Sequence, residues 1–467
     1  MPGAFRLFSL RRLLPLLAPF CALAGCSSSQ PSPPKAATPA PPTAAAAPAA
    51  PIFTPPLAVP VQEKFTRVML GIDVLEAEGF AAVKGKRIGL LTHPAGVNRQ
   101  GVATVDVLRR APGVQLVALY AVEHGIYGDL PAEKPFADFT DPRTSLRVFS
   151  LYKGNLVRPS AAQLKGIDAL VIDLQDVGTR SYTFTSAMKI AMEGCFEQGK
   201  EVIVLDRPNP LGGLKVDGPL LDASLISDVG RFRVPYVHGL TMGELAQMVK
   251  ASLPPGGLEI SEAARQRGKL TVVPMRGWTR AMRWPETGLS WVPTSGLIQD
   301  FGAVQGYPMT GLGCIIGGFK HGFRQAVGSV HAFRGIQHLT AKPEVYEREL
   351  RALNLSGIAF RRISVPSAKT GQPTVGLFIE ITDYDAWQPT ELSFHLMKLA
   401  CKLNPQNPFA RATAPERRSF KVHVGSEAFY NDIAARGARI DIDAWLRAWR
   451  EQARIYQEQS RRFWLYR

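Results

Sequence analysis

Short, continuous apolar segments alternate with helical segments between about residues 86 and 206. The segments KRIGLLT (86–92), VQLVALYAV (114–122), DALVIDL (168–174) and EVIVLD (201–206) are apolar throughout, not at every second position. Strands of this kind are buried on both faces and belong to parallel sheets that helices cover on each side. The pattern therefore predicts an α/β fold with a Rossmann-like, mostly parallel sheet. The predicted intervening elements are helices at 104–110, 160–166 and 182–199 and a strand at 147–152.

The second half of the chain has a different pattern. We predict that residues 63–235 form the Rossmann-like catalytic domain and that residues 236–467 form a smaller α+β domain. The predicted elements of the second domain are a helix within 237–253 entered through Thr241, strands at 269–278 and 375–387, a helix at 392–403 and a long amphipathic helix within 440–467.

The first 62 residues do not have the composition of a folded domain. Residues 1–25 contain three arginines and a short apolar run, which is typical of a secretory signal peptide. LAGC (23–26) resembles a bacterial lipobox and predicts lipidation of Cys26; an ordinary signal peptide with an incidental cysteine is the alternative. Residues 26–62 are rich in Ala and Pro and predict a disordered tether. We expect a cell-envelope lipoprotein, facing the periplasm from the outer membrane if the source is Gram-negative.

The net charge of +16 suggests an anionic partner, and for an exported protein an acidic glycan or wall polymer fits better than nucleic acid. No zinc-finger or other nucleic-acid signature accompanies that charge. HPAGVNRQG follows the first strand without the G-x-G-x-x-G pattern of dinucleotide sites, so no cofactor is predicted. The His, Cys and acidic residues lack short ligand spacings, and no metal is predicted.

Polar side chains follow four of the predicted strands at their carboxyl ends, which is where ligands bind in open α/β sheets. Glu123 and Asp176 are the predicted catalytic pair, because glycoside hydrolysis uses two carboxylates and the first can serve as general acid. Glu123 could instead cap a helix or pair with an arginine, and Asp173 could be a buried structural partner. Arg180 and Arg207 could grip a substrate carboxylate or neutralise the acids. The predicted substrate-binding residues are His93, His124, Asp173, Gln175, Arg180, Tyr182, Asp206, Arg207, Asn209 and His238.

Long motifs extend from about residue 65 to the end of the chain: GIDVLEAEGFAAVKGKRIGLLTHPAG, VEHGIYGD, DLQDVGTRSYTF, VLDRPNPLGG, VPYVHGLTMGELA, TGLSWVP, GLFIEITDYDAWQP and FWLYR. In these motifs the sequence resembles the exo-β-N-acetylmuramidases. The resemblance implies an active site in a cleft between a Rossmann-like and an α+β domain, with Glu123 as the catalytic glutamate. It also implies release of terminal N-acetylmuramic acid from the non-reducing end of peptidoglycan fragments.

The sequence departs from the family pattern at four places, two of which are Val237, where the family usually has Arg, and residues 293–297, where it has a Pro-Ser-Pro-Asn stretch. HPAG (93–96) stands where the family usually has Asn-Pro-Thr-Gly, and GLGCIIGGFKHGFRQAV (311–327) lacks an acid and an amide of the family. A non-catalytic glycan-binding lipoprotein that reuses the cleft is therefore the alternative to an enzyme. An esterase or amidase is disfavoured because G-x-S-x-G is absent from the sequence.

Overall fold

Seven strands form a sheet in the order β3-β4-β2-β1-β5-β6-β7, and all neighbours are parallel except β3 and β4. The computed structural model describes residues 68–314, 322–328, 330–367 and 370–467. The predicted signal peptide, Cys26 and the tether lie outside the described residues. The strands of this sheet are β1 Arg87–Thr92, β2 Gln115–Ala121, β3 Phe139–Thr140, β4 Arg147–Ser150, β5 Ala169–Asp173, β6 Glu201–Leu205 and β7 Leu270–Val273.

Helices cover both faces of this sheet, which confirms the predicted α/β fold class. They are α1 Gly71–Ala77, α2 Thr104–Arg110, α3 Ala161–Leu164, α4 Thr183–Glu197, α5 Met242–Ala251, α6 Glu262–Arg267 and α7 Trp284–Thr287. One apolar core packs residues of α1 and α2 against one face. A larger core on the other face includes α4 and α5 and continues into the second half of the chain. Strands β5 and β6 are buried along their whole length, because helices cover them from both sides.

The second half of the chain contains an antiparallel sheet with strand order β10-β11-β9-β8. Its strands are β8 Phe323–Arg324, β9 Gly335–His338, β10 Ile358–Pro366 and β11 Pro373–Ile381. The accompanying helices are α8 Phe301–Cys314, α9 Pro343–Ala352, α10 Glu391–Leu403, α11 Ala414–Val424, α12 Glu427–Arg436 and α13 Ile442–Ser460. This smaller α+β part agrees with the expected architecture.

The large sheet takes its last strand from beyond residue 235. Strand β7, which we assigned to the second domain, pairs in parallel with β6. The described residues belong to one compact unit, and the predicted boundary at 235/236 stays a prediction. None of the described helices is long and apolar enough to cross a bilayer.

Candidate active site

The carboxyl ends of β2, β1, β5 and β6 lie next to one another in the sheet. Their following loops start at Val122, His93, Leu174 and Asp206, and the predicted site residues of these loops therefore share one edge. We call this edge the rim. The convergence follows from the parallel order of the strands, as expected from the sequence.

Glu123 is buried in the loop after β2, with 7% of its surface exposed. Its Oε1 accepts a hydrogen bond from the Glu133 backbone N–H (2.8 Å), and its Oε2 accepts one from Thr183 Oγ1 (2.9 Å). Both donors are neutral, and within the described chain Glu123 has no ion pair with an arginine or lysine. The loop turns sharply beside it, because His124 and Gly125 both have positive φ (72° and 76°). The His124 ring is turned away to the Leu130 carbonyl (3.0 Å).

Asp176 lies in the loop after β5, and one of its oxygens is committed to neighbouring donors. Its Oδ2 accepts the Gly178 N–H (2.7 Å) and lies 3.4 Å from Nε2 of His238. The other ring nitrogen of His238 accepts the Leu240 N–H, so the neutral ring carries its proton on the nitrogen that faces Asp176. Asp176 Oδ1 accepts no hydrogen bond from the described residues. The second carboxylate thus has one oxygen that no described residue binds.

Asp173 and Arg207 form a buried, bidentate ion pair across β5 and β6. Arg207 Nε and Nη2 lie 2.6 and 2.9 Å from the two carboxylate oxygens, and Thr104 Oγ1 donates a third hydrogen bond. This arrangement corresponds to the neutralising role that the sequence left open for Arg207. It leaves Asp173 without a free oxygen for catalysis.

Arg180 is enclosed and binds backbone carbonyls. Its Nη1 donates to Pro219 and Val234, and its Nη2 donates to His423 and Val424. Burial lowers the pKa of its guanidinium to about 10. The side chain therefore ties the loop after β5 to the end of α11, and it does not project from the rim.

Asp206 and Asn209 form hydrogen bonds to other parts of the protein beside the rim. The Asp206 carboxylate accepts hydrogen bonds from Thr241 Oγ1, the Gly243 N–H and the Tyr466 hydroxyl, which fixes the start of α5. The Asn209 side chain donates to the Leu240 carbonyl and accepts the Leu211 N–H. Both residues were predicted to bind substrate, and both are engaged by the protein itself.

His93 and Gln175 connect the loops after β1 and β5. The Gln175 N–H donates to His93 Nε2 (2.9 Å), so the ring proton resides on Nδ1. Burial, with the positive charge of Arg207 nearby, lowers the pKa of His93 well below its usual value. His93 is consequently a neutral imidazole that packs edge-on against Phe184.

Two tyrosines reach the rim from the side of α4 and α8. Tyr182 donates its hydroxyl to Thr294 Oγ1 (2.8 Å), and its ring packs against Tyr307. The Tyr307 hydroxyl lies 3.3 Å from Ser181 Oγ. Burial raises the pKa of Tyr307 to about 12, and the Glu123 and Asp176 carboxylates both contribute. Tyr307 is a site residue that sequence reasoning missed, because an aromatic residue in an apolar helix pattern indicates core.

Buried polar atoms without a hydrogen-bond partner in the described chain concentrate at the rim. They include His93 Nδ1, Gln175 Oε1, Asp176 Oδ1, Thr179 Oγ1 and His238 Nε2. Buried groups of this kind are rare in native structures and call for an explanation such as a ligand. No cluster of three potential metal ligands occurs among the described residues. The rim thus carries several buried polar groups that the described chain leaves unpaired.

These features define an α/β protein with a carboxylate-lined site at the carboxyl edge of its main sheet. The chain belongs to the exo-β-N-acetylmuramidase NamZ family: the models of its N-terminal and C-terminal domains match residues 88–302 and 306–466. It is 36% identical over 347 residues to the peptidoglycan β-N-acetylmuramidase NamZ of Bacillus subtilis, covering 74% of this chain and 80% of that protein.

Two crystal structures of Bacteroides fragilis proteins of the DUF1343 family have a similar fold. One superposes with a TM-score of 0.76 at 34% identity and covers 86% of this chain and 100% of its own. The other has a TM-score of 0.62 at 26% identity and covers 86% and 99%. The two-part architecture is thus shared over nearly all of the described chain.

Proposed function

We propose that this protein is a glycoside hydrolase that releases terminal N-acetylmuramic acid from the non-reducing end of peptidoglycan fragments. The observation that carries the proposal is the contrast among the four rim acids. Asp173 is neutralised by Arg207 and Asp206 caps α5, whereas Glu123 and Asp176 have no arginine or lysine partner in the described chain. A pair of acids left free in this way is what glycoside hydrolysis requires. The B. subtilis relative, a peptidoglycan β-N-acetylmuramidase by name, supports the same reaction.

Glu123 acts as the general acid in this proposal. Its proton passes to the glycosidic oxygen as the bond between that oxygen and the anomeric carbon breaks. Positive charge develops on the sugar ring, and the free Oδ1 of Asp176 stabilises it. Water then adds to the anomeric carbon and gives its proton to the carboxylate that Glu123 has become, so that both carboxyl groups end in their starting protonation states. Thr183 and the Glu133 N–H hold Glu123 in place, the Gly178 N–H holds Asp176, and His238 Nε2 faces Asp176 at 3.4 Å.

The test is hydrolysis of a chromogenic β-N-acetylmuramic acid glycoside, with the matching N-acetylglucosamine glycoside for comparison. We expect release from the muramic substrate, and a loss of about 10²–10⁴ in kcat for Glu123→Gln and Asp176→Asn. Glu262→Gln is the control, since this glutamate is exposed on α6 and its partners among the described residues are Arg265 and Gln266 on the same helix. Wild-type turnover in Glu123→Gln would remove this residue from the mechanism.

A glycan-binding protein without catalysis is the second candidate, favoured by the lost acid and amide in segment 311–327. Residues 315–321 of that segment lie outside the described residues. Binding of N-acetylmuramic acid by a folded protein that hydrolyses neither glycoside would support this candidate over the enzyme.

We further propose that the protein is an envelope lipoprotein acylated on Cys26. The apolar run and LAGC (23–26) support this proposal, and the tether at 26–62 would separate the folded unit from the membrane. Mass spectrometry of the mature N-terminus should find a lipid-modified cysteine, and Cys26→Ser should release the protein from the membrane fraction. An unmodified N-terminus at another residue would contradict lipidation.

A further inference from the structure

A cavity of about 150 Å³ lies between the loop after β1 and the segment that includes α7. Glu123 and Asp176 are not among its lining residues. Its wall contains three buried polar side chains, Asn98, Gln175 and Arg207, and apolar surface from Val97, Trp284 and Leu289. We call it the rim cavity. Gln175, one of the lining residues, directly precedes Asp176 in the chain.

Most hydrogen-bonding positions of these polar side chains are already occupied. Arg207 uses Nε and Nη2 for Asp173 and the Val97 carbonyl, which leaves Nη1. Asn98 Oδ1 accepts from the backbone N–H groups of Gln100 and Val102, so its amide orientation is set and the NH₂ group remains.

Gln175 has the opposite arrangement. Its NH₂ group donates to two carbonyls, those of Asp176 and Pro208, which also sets the orientation of the amide. Its Oε1 accepts no hydrogen bond from the described residues, although the side chain is buried. The side chains of the wall therefore keep two donor groups and one acceptor that the described hydrogen bonds leave unused.

We propose that the rim cavity receives the 2-acetamido group of the terminal sugar, an inference that rests on the proposed function. The acetamido carbonyl would accept from Arg207 Nη1 and Asn98, its N–H would donate to Gln175 Oε1, and its methyl group would contact Trp284 and Leu289. Benzene fits an apolar cavity of about 150 Å³, so a four-atom acetamido group fits as well. Carbon 2 neighbours the anomeric carbon, just as Gln175 in the cavity wall neighbours Asp176 in the chain.

A carboxylate is a poorer match for the rim cavity. The carboxylate of N-acetylmuramic acid belongs to its lactyl group, which has no hydrogen-bond donor. Gln175 Oε1 would therefore stay unpaired, which is costly in a buried site. The charge of Arg207 is already balanced by Asp173, and Arg99, which also lines the cavity, is exposed to solvent. The group that we expect the rim cavity to bind is a secondary amide. The stem peptide of the cell wall also contains secondary amides and is therefore the other source of such a group.

Calorimetric titration of the full chain with N-acetylmuramic acid, muramic acid and a muramoyl peptide without the acetyl group tests the proposal. We expect muramic acid and the muramoyl peptide to bind at least about 100-fold more weakly, because they leave buried groups unpaired.

Asn98→Asp keeps the oxygen that holds the loop but replaces the donor with an acceptor. It should weaken N-acetylmuramic acid binding about 10- to 100-fold but should not weaken the binding of muramic acid, because the new carboxylate attracts the ammonium group that muramic acid carries on carbon 2. Gln115→Glu makes the same chemical change at the exposed amino end of β2 and is the control.

The possible outcomes test the assignment of the rim cavity and the proposed hydrolysis separately. Equal affinity for both sugars, or an equal effect of Asn98→Asp on both, would overturn the cavity assignment even if hydrolysis occurs. Tight binding of the muramoyl peptide would assign the amide to the peptide and overturn the acetamido assignment. Selective binding without hydrolysis would support the cavity and defeat the proposed enzyme. Absence of binding by all three ligands would overturn the assignment too.

Discussion

Arg180 shows how one buried side chain can serve structure at the edge of an active site. It donates to four backbone carbonyls from three separate segments, and a lysine cannot reproduce that planar fork. We expect Arg180→Lys to lower the free energy of unfolding by about 2–4 kcal/mol. Urea denaturation measures this, with the exposed Arg276→Lys as the control. A stable variant with a raised KM would instead assign Arg180 to substrate binding.

His238 is the residue that positions Asp176 in our proposal. His238→Asn keeps an acceptor for the Leu240 N–H but removes the donor that faces Asp176. We expect kcat to decrease about 10- to 100-fold with little change in KM. His238→Gln, which can present an N–H at the same point, should recover part of the loss. Equal damage to kcat by Asn and Gln would indicate a packing role for His238.

The position of the rim could be predicted from the sequence, but the roles of its individual acidic residues could not. The polar residues follow strands that the apolar runs identify, so the loops of Glu123, Asp173 and Asp176 could be located from the sequence. Asp173 and Arg207 are 34 positions apart, and their pairing depends on the neighbouring positions of β5 and β6. Single-sequence patterns contain no such information, so Asp173 could be either catalytic or neutralised.

At the scale of elements, the start of α5 depends on a carboxylate from another strand. Burial raises the pKa of Asp206 to about 6 from 3.8, although Tyr466, Gly243 and Thr241 donate hydrogen bonds to it. The folded protein therefore binds more protons than the unfolded chain between about pH 4 and 6, and this residue's contribution to stability falls as pH rises through that range.

Tyr466→Phe removes one donor to the charged form of Asp206 and so raises the pKa of Asp206 further. We expect the free energy of unfolding to drop by about 1.5–3 kcal/mol at pH 7.5 and by less at pH 5, where the carboxyl is largely protonated in both proteins. Denaturant titrations at the two pH values measure the difference. A loss of the same size at both would show that the hydrogen bond to Asp206 is not its source.

The helices and strands that we predicted in the first half lie close to the observed ones, whereas α1 and β3 were not predicted. For example, TVDVLRR coincides with α2, and Thr241 accepts the Glu244 N–H as the predicted entry to α5. The sheet membership of β7 was missed. Leu270–Val273 has no local feature that distinguishes a strand of the first sheet from one of the second, because only its contact with β6 decides this.

At the scale of the whole molecule, the chain returns at its end to the first sheet. Trp464 lies under the guanidinium of Arg280 (3.8 Å), and the Leu465 N–H donates to Glu244 Oε1 (2.9 Å). Arg280 and Glu244 form a buried ion pair, and the Arg280 N–H donates to the Arg467 carbonyl. The FWLYR motif therefore joins the end of the second half to α5 and to the segment that follows β7.

Deletion of residues 464–467 should therefore destabilise the whole folded unit and not only its last helix. It exposes the Glu244–Arg280 pair and removes the Tyr466 hydroxyl from Asp206. We expect the free energy of unfolding to fall by more than about 3 kcal/mol, with far-UV circular dichroism and tryptophan fluorescence still changing in one transition. Arg462→Gln, a change on an exposed side chain just before this segment, is the control. Wild-type stability after the deletion would show that the contacts of this segment do not stabilise the fold, and two separated transitions would show that the halves of the chain unfold independently.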